Sequence, residues 1–150
     1  MLALRASGAF LIVMVLVTPP VAAQQRVPAG HIKVATGAAY IVRQDRQIPA
    51  KPGDAVFATD TLRTQANGAV GVTLADDTRV SLGPDSEMRL ERYAFAPADG
   101  AVGMVLNFVR GVAAYVSGRI AKLAPDSVRL ETPAAIVGVR GTTVAIKIGP

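Results

Sequence analysis

Apolar and polar positions alternate along this chain with a period of two from Ile32 onward, and turn residues interrupt the alternation about every eight to twelve positions. The clearest unit joins two alternating stretches, 70–74 and 79–82, through the polar turn 75–78. A period of two places every second side chain on the same face of a β-strand. The pattern therefore predicts an all-β domain of many short strands with almost no helix.

The same alternation continues through the second half of the domain, with one long interruption. Residues 87–93 alternate with their charged side chains facing outward, and residues 104–116 alternate again. Between them, the segment 94–103 contains a proline, an aspartate and two glycines, which are turn-forming residues. We therefore predict a loop at 94–103 that separates an N-terminal from a C-terminal half.

The closing run, residues 132–147, joins two apolar β-branched segments through a Gly-Val-Arg-Gly-Thr corner. Gly138 and Gly141 suit such a corner because glycine adopts positive φ and lets another backbone approach closely. The uninterrupted apolar stretch 134–139 predicts a strand that is covered on both faces. Arg140 could pair with a phosphate or a carboxylate, but the lysine and following helix of a phosphate loop are missing. Hydrogen bonds from Arg140 to neighbouring carbonyls or a carboxylate are the favoured interpretation.

Many short strands with regular corners can build a β-solenoid, a sandwich or a small barrel. Glycine recurs at the predicted corners, for example at Gly83, Gly111 and Gly118, and the apolar runs suit strands covered on both faces. We therefore favour a short-strand β-solenoid or β-roll. A small sandwich or barrel is the alternative, since no strict repeat length is visible.

The N-terminal residues 1–23 have the layout of a secretory signal peptide, with one charge at Arg5, the apolar stretch 9–17 and small residues before Gln24. The apolar stretch is shorter than the roughly 20 residues that a spanning helix needs. We predict a signal-peptide helix that is cleaved before Gln24, so that membrane contact is transient. Residues 24–150 then form one exported domain in the periplasm, with its core at about 30–148.

Charge and composition narrow the function classes. The chain carries 16 Lys and Arg against 11 Asp and Glu, and since only Arg5 lies in the signal peptide, the mature excess is about +4. The basic residues are spread singly with few aromatics beside them, which is typical of a solvated surface and not of a nucleic-acid site. The chain has no cysteine, so the stability of the fold depends on burial without disulfides.

Candidate catalytic and metal-binding groups are few. His31 is the only histidine, and without a cysteine or a second histidine it cannot complete a zinc site or a proton relay. Three carboxylate pairs, within 76–77, 85–87 and 87–91, have spacings compatible with glycoside chemistry or Ca²⁺, but they fall at turns or on outward faces near arginines. The serines and threonines have no positioned base. We therefore predict no catalytic residue, no metal site and no cofactor.

Short motifs at 51–54, 60–64, 68–78, 82–86, 110–118, 132–133 and 138–142 follow one another along the chain. Their order resembles that of the FecR domain family, over roughly residues 30–148. Each motif is common when taken singly, and the order carries the resemblance. The resemblance implies a periplasmic, β-rich module. It also implies structural roles for the residues that match the family motifs, namely Gly53, Asp54, Asp60, Thr61, Gly111, Gly118, Pro133, Gly138, Arg140, Gly141 and Thr142.

The best-known members of that family are membrane-spanning regulators that receive a signal from an outer-membrane transporter and pass it to a cytoplasmic sigma factor. This sequence has no sigma-binding region ahead of its hydrophobic segment and, by the signal-peptide interpretation, no retained spanning helix. We therefore expect the binding module without direct transmembrane signalling.

Three function hypotheses follow. The first is a non-enzymatic envelope module, sensory or accessory, that binds another envelope protein by strand addition, with Leu106, Phe108 and Tyr115 as hydrophobic anchors. The second is a carbohydrate-binding or structural envelope module, although the absence of tryptophan argues against strong sugar stacking. The third, an enzyme, would require a cleft with convergent carboxylates.

Overall fold

The computed structural model describes residue 14 and residues 16–20, 26–139 and 143–149. Most of the predicted signal peptide, residues 1–23, lies outside the described residues. Arg140, Gly141 and Thr142 of the closing corner lie outside them as well. In the part of the chain that is described, no helix has the length and apolar character needed to cross a bilayer.

Strands dominate the described residues, and the prediction of an all-β domain is confirmed. In chain order the strands are β1 (Gly30–Thr36), β2 (Ala39–Arg43), β3 (Arg46–Pro49), β4 (Ala55–Val56), β5 (Thr61–Thr64), β6 (Ala69–Leu74), β7 (Arg79–Leu82), β8 (Glu87–Ala96), β9 (Ala101–Val116), β10 (Val128–Glu131), β11 (Ile136–Gly138) and β12 (Thr143–Ile148). Within the described ranges, the helical segments are α1 (Arg119–Leu123) and two 3-10 turns, Pro97–Asp99 and Pro125–Ser127.

The long strand β9 connects the two parts of the sheet. Its first part, 101–110, pairs antiparallel with β8 and parallel with β10, and its second part, 111–116, pairs antiparallel with β7 and β12. Gly111, with φ of +88°, lies at the junction between the two parts. The strand order is β3-β2-β5-β8-β9-β7-β6-β1-β4, so the sheet is continuous and curls into an open half-barrel.

The concave side of this sheet holds one hydrophobic core. The alternation seen in the sequence places Val70, Val72 and Leu74 inward on β6, where each is buried. Residues from both parts of the sheet contribute to the same cluster of buried side chains. Burial of this apolar surface is the main source of stability in a chain without disulfides.

Leu106, Phe108 and Tyr115 belong to this core. Their exposed fractions are 0%, 1% and 0%, because they lie on the inward face of β9, which has strand neighbours on both sides. The expectation that these three side chains anchor a partner is therefore wrong.

The predicted loop at 94–103 is also wrong for most of its length. Strand β8 continues to Ala96 and β9 begins at Ala101, with Phe95 paired to Val102. Only 97–100 form a turn, which ends at Gly100 with φ of +68°. Cross-strand pairing with a long neighbour has overridden the local turn signals.

Candidate functional site

Asp60 organises the turn between β4 and β5. Its carboxylate, 2% exposed, accepts hydrogen bonds from Arg43 Nε at 2.9 Å and Nη2 at 2.6 Å, and from the Phe57 backbone N–H at 2.9 Å. The Arg43 guanidinium also lies over the Phe57 ring, 4.7 Å from its centroid. The hydrogen bond to Asp60 raises the pKa of Arg43 above its ordinary value. A buried carboxylate is thus satisfied by a bidentate arginine.

The neighbouring motif residues have simpler roles. Gly53 adopts a φ of +93° in a turn, and Asp54 Oδ2 accepts a hydrogen bond from the Lys51 backbone N–H at 2.9 Å. Thr61, 9% exposed, begins β5 and lies between Val42 and Arg89 on the adjacent strands. These residues shape and connect turns and present no free reactive group.

Ser86 holds the bend of β9 at Gly111. The Ser86 hydroxyl accepts a hydrogen bond from the Val112 N–H at 2.9 Å and lies 3.0 Å from the Val112 carbonyl oxygen. A Cβ on Gly111 would overlap both the hydroxyl and the backbone of Ser86. Thr64 completes the contact, since its hydroxyl accepts a hydrogen bond from the Ser86 N–H at 3.0 Å. Glycine is required at 111 for positive φ and for this close approach.

Asp76 forms the third cluster. Its carboxylate is fully buried and accepts hydrogen bonds from the hydroxyls of Thr78 at 2.7 Å and Tyr93 at 2.9 Å, and from the Ile120 N–H at 3.1 Å. The last bond caps the N-terminus of α1. Burial and, next, the hydrogen bond to Asp76 raise the pKa of the Tyr93 hydroxyl well above its ordinary value. Gly118 packs directly against the backbone of Asp76 and Thr78.

The three clusters belong to three different turns, since Asp60 precedes β5, Asp76 lies between β6 and β7, and Ser86 lies between β7 and β8. Pro133 is exposed in the turn before β11. Gly138 has no positive φ, and a Cβ added to it would have no atom within 4 Å, so the close approach expected there is wrong. Among the described residues, no group of three or more His, Cys, Asp and Glu side chains could hold a metal ion. His31 lies exposed on β1.

The edge strands of the sheet show where a partner could bind. Four described strands, β3, β4, β11 and β12, pair with a described strand along one edge only. Strand β3 carries Arg46 and Pro49, β12 carries Lys147, and β4 has two residues. Charge, proline and shortness all discourage pairing with another chain. Strand β11 carries neither a charge nor a proline, because its three residues are apolar or glycine.

Strand β11 is short but has an uncharged edge without proline, and it exposes apolar side chains. Ile136 is 66% exposed and Val137 is 40% exposed, so the expectation that this stretch is covered on both faces is wrong. Among the described strands, β11 pairs with β10 alone. A groove of about 400 Å³ lies beside it and includes Val128, Arg129 and Ile136 in its lining. Sequence reasoning missed this edge because an apolar run looks the same whether or not a neighbouring strand covers it.

Comparison with known proteins confirms the family resemblance. The family model described as FecR protein matches residues 60–149. That range begins at Asp60 and includes the Ser86, Asp76 and Gly118 contacts as well as β11. Searches of the curated proteins and of the solved structures found no significant match. The chain belongs to the FecR family.

Proposed function

We propose that this protein is an exported, non-enzymatic module of the periplasm that binds another envelope protein, in a sensory or accessory role. Membership of the FecR family, a regulatory family associated with the cell envelope, supports this function. The layout of residues 1–23 supports export, with cleavage before Gln24 and only transient membrane contact. The proposed architecture is the short-strand β-solenoid or β-roll, with a small sandwich or barrel as the alternative, and a sheet that curls without closing supports it.

The observation that carries the proposal is the uncharged edge of β11. A partner strand that adds to this edge would form backbone hydrogen bonds along it, and the exposed Ile136 and Val137 would be shielded from water on binding. The adjacent groove can take a side chain from the added strand. Strand addition needs no catalytic group, which fits a module that binds a partner protein and has no enzymatic activity.

In-cell crosslinking tests this contact directly. A photoactivatable residue at Val137 should form a crosslink to one envelope protein, and the same probe at Thr143, on the Lys147-bearing edge of β12, should not. The same probe at Ile136 should also form the crosslink. Adding Val137→Lys to that Ile136 variant should abolish it, because a charge on the edge opposes strand pairing. Equal crosslinking from β11 and β12 would contradict the proposed edge.

Export is tested separately by N-terminal sequencing. The protein recovered from the periplasmic fraction should begin at Gln24. Recovery of a chain that retains Met1 in the membrane fraction would overturn the export proposal and leave the β11 contact to be judged on the crosslinking result.

A further inference from the structure

A second surface, away from β11, lies on the convex face of the sheet where β2, β5, β8 and β9 run side by side. Cross-strand pairing sets two rows of side chains across these strands. The first row is Tyr40, Arg63, Glu87 and Arg110, and the second is Val42, Thr61, Arg89 and Asn107. Neighbouring strands are about 4.8 Å apart, so each row is about 14 Å long.

A polar groove of about 440 Å³ lies over these rows. That volume falls within the usual range for small-molecule sites, which is about 300–1,000 Å³. The β2–β3 turn and the turn before β5 both contribute to its walls. Its lining consists of Val42, Gln44, Asp45, Thr59, Thr61, Arg63, Glu87 and Arg89.

The charged groups in the lining balance one another. Arg63 and Arg89 supply two positive charges, and Asp45 and Glu87 supply two negative charges. Glu87 Oε2 lies 3.2 Å from Arg63 Nε and 3.6 Å from Arg110 Nε, so this carboxylate sits between two guanidinium groups. The groove therefore offers donors and acceptors side by side, and its lining carries no net charge.

Residues with positive φ are concentrated around the same groove. Five described residues other than glycine have positive φ, and three of them line the groove: Gln44 at +49°, Asp45 at +61° and Thr59 at +75°. Thr59 is the most costly, because a β-branched side chain rarely adopts this conformation. Strained residues of this kind cluster at ligand sites more often than elsewhere.

We infer that this groove binds a neutral oligosaccharide. A sugar hydroxyl both donates and accepts hydrogen bonds, so adjacent hydroxyls can bond to an arginine and a carboxylate that lie side by side. Tyr40, which is half-buried and pairs with Arg63 in the first row, offers an apolar ring beside the groove residue Arg63. This site is independent of the β11 edge and of the proposed protein partner.

The charges of the groove lining favour a neutral ligand over the acidic and basic polymers of a cell envelope. An acidic polymer would meet the carboxylates of Asp45 and Glu87, and a basic one would meet the guanidinium groups of Arg63 and Arg89, so either polymer meets like charges in the groove. A neutral polyhydroxyl chain meets neither penalty. Since no tryptophan is present and Tyr40 is the only ring in the two rows, hydrogen bonds supply most of the affinity.

Titration of the purified mature domain, followed by backbone amide NMR, tests the inference. The neutral probes are cellotetraose, maltotetraose and tri-N-acetylchitotriose, and the charged probes are tetragalacturonate and a chitosan tetramer. At least one neutral probe should shift amide signals around Thr61 and Arg89, with an affinity unchanged between about 50 and 500 mM salt. No shift with any neutral probe at about 10 mM, or tighter binding of a charged probe, would overturn it.

Two variants and one control locate the site. Arg89→Ala should weaken binding by about tenfold or more, because it removes a charged donor. Gln44→Gly should also weaken it while keeping the turn, since glycine tolerates the positive φ at this position. The control is Arg79→Ala, because Arg79 is an exposed arginine of β7 that lies outside the groove. This variant should bind with an affinity within about twofold of the unaltered domain. Binding by both groove variants at the affinity of the unaltered domain would overturn the assignment.

Discussion

The Tyr93 hydroxyl donates a hydrogen bond to Asp76 Oδ1 at 2.9 Å and accepts one from the Asp76 backbone N–H, also at 2.9 Å. This reciprocal pair joins the β6–β7 turn to β8 across 17 positions of sequence. The same carboxylate caps α1 through the Ile120 N–H. One buried side chain therefore connects a turn, a strand and a helix.

Asp76→Asn should lower the free energy of unfolding by about 2–4 kcal/mol. The amide NH2 would replace one carboxylate oxygen and oppose either the Tyr93 hydroxyl at Oδ1 or the Thr78 and Ile120 donors at Oδ2, and buried donors without acceptors are costly. Urea denaturation measures the loss. Asp77→Asn is the matched control, because the Asp77 side chain is 76% exposed, and its effect should stay within about 0.5 kcal/mol. Similar losses in both variants would show that the Asp76 contacts contribute little.

Stability should fall as pH rises above about 10, the ordinary pKa of tyrosine. Burial raises the pKa of both Tyr93 and Tyr115 above that value. The unfolded chain then loses phenolic protons that the folded chain keeps, so each tyrosine lowers stability by about 1.4 kcal/mol per pH unit. Below pH 10 the contribution is constant.

Comparison with Tyr93→Phe isolates one of these tyrosines from the lysines that titrate in the same range. Urea denaturation at several values between pH 8 and about 11 should give a shallower alkaline decline for the variant. Parallel declines for the two proteins would contradict the role assigned to Tyr93.

The strand faces were predictable from the sequence because they depend on local alternation. Met88 and Leu90, predicted to point inward, are 2% and 1% exposed. The extent of β8 and β9 was not predictable in the same way, because Phe95 is held in a strand by Val102 across a segment rich in turn-forming residues. Pairing partners at a distance decide such segments, and a single sequence does not display them.

The candidate sites were less predictable than the fold. The β11 edge is a surface only because no described strand pairs beyond it, and the groove exists because Arg63, Glu87 and Arg89 come from two strands that are separated in sequence. The motif glycines could be recognised from the sequence, but the structural requirement for glycine at each position could not. Position 111 requires glycine because its φ is positive, and position 118 requires glycine because neighbouring atoms leave no room for a Cβ. Neither requirement applies at Gly138.

Gly118→Ala and Gly138→Ala should therefore have different outcomes. A methyl group at Gly118 would overlap the Thr78 nitrogen and the Asp76 carbonyl oxygen, and the φ of −107° there means that the cost is steric. We expect a loss of about 2–3 kcal/mol in the free energy of unfolding. Gly138→Ala should change it by less than about 0.5 kcal/mol, since a Cβ there meets open space. Chemical denaturation of both variants decides the question, and equal losses would contradict it.

Thr59→Gly should stabilise the domain although it removes a side chain. Thr59 has a φ of +75°, and relief of such strain is worth about 1–3 kcal/mol, from which the entropy of a flexible glycine subtracts about 0.5–1 kcal/mol. The backbone bond from the Thr59 N–H to the Leu90 carbonyl oxygen, 2.7 Å, is available to glycine as well. The net gain should be about 1 kcal/mol in urea denaturation. The control is Thr36→Gly, because Thr36 lies in β1 and has no positive φ, and this variant should lose stability. A loss of stability in both variants would show that Thr59 is not strained.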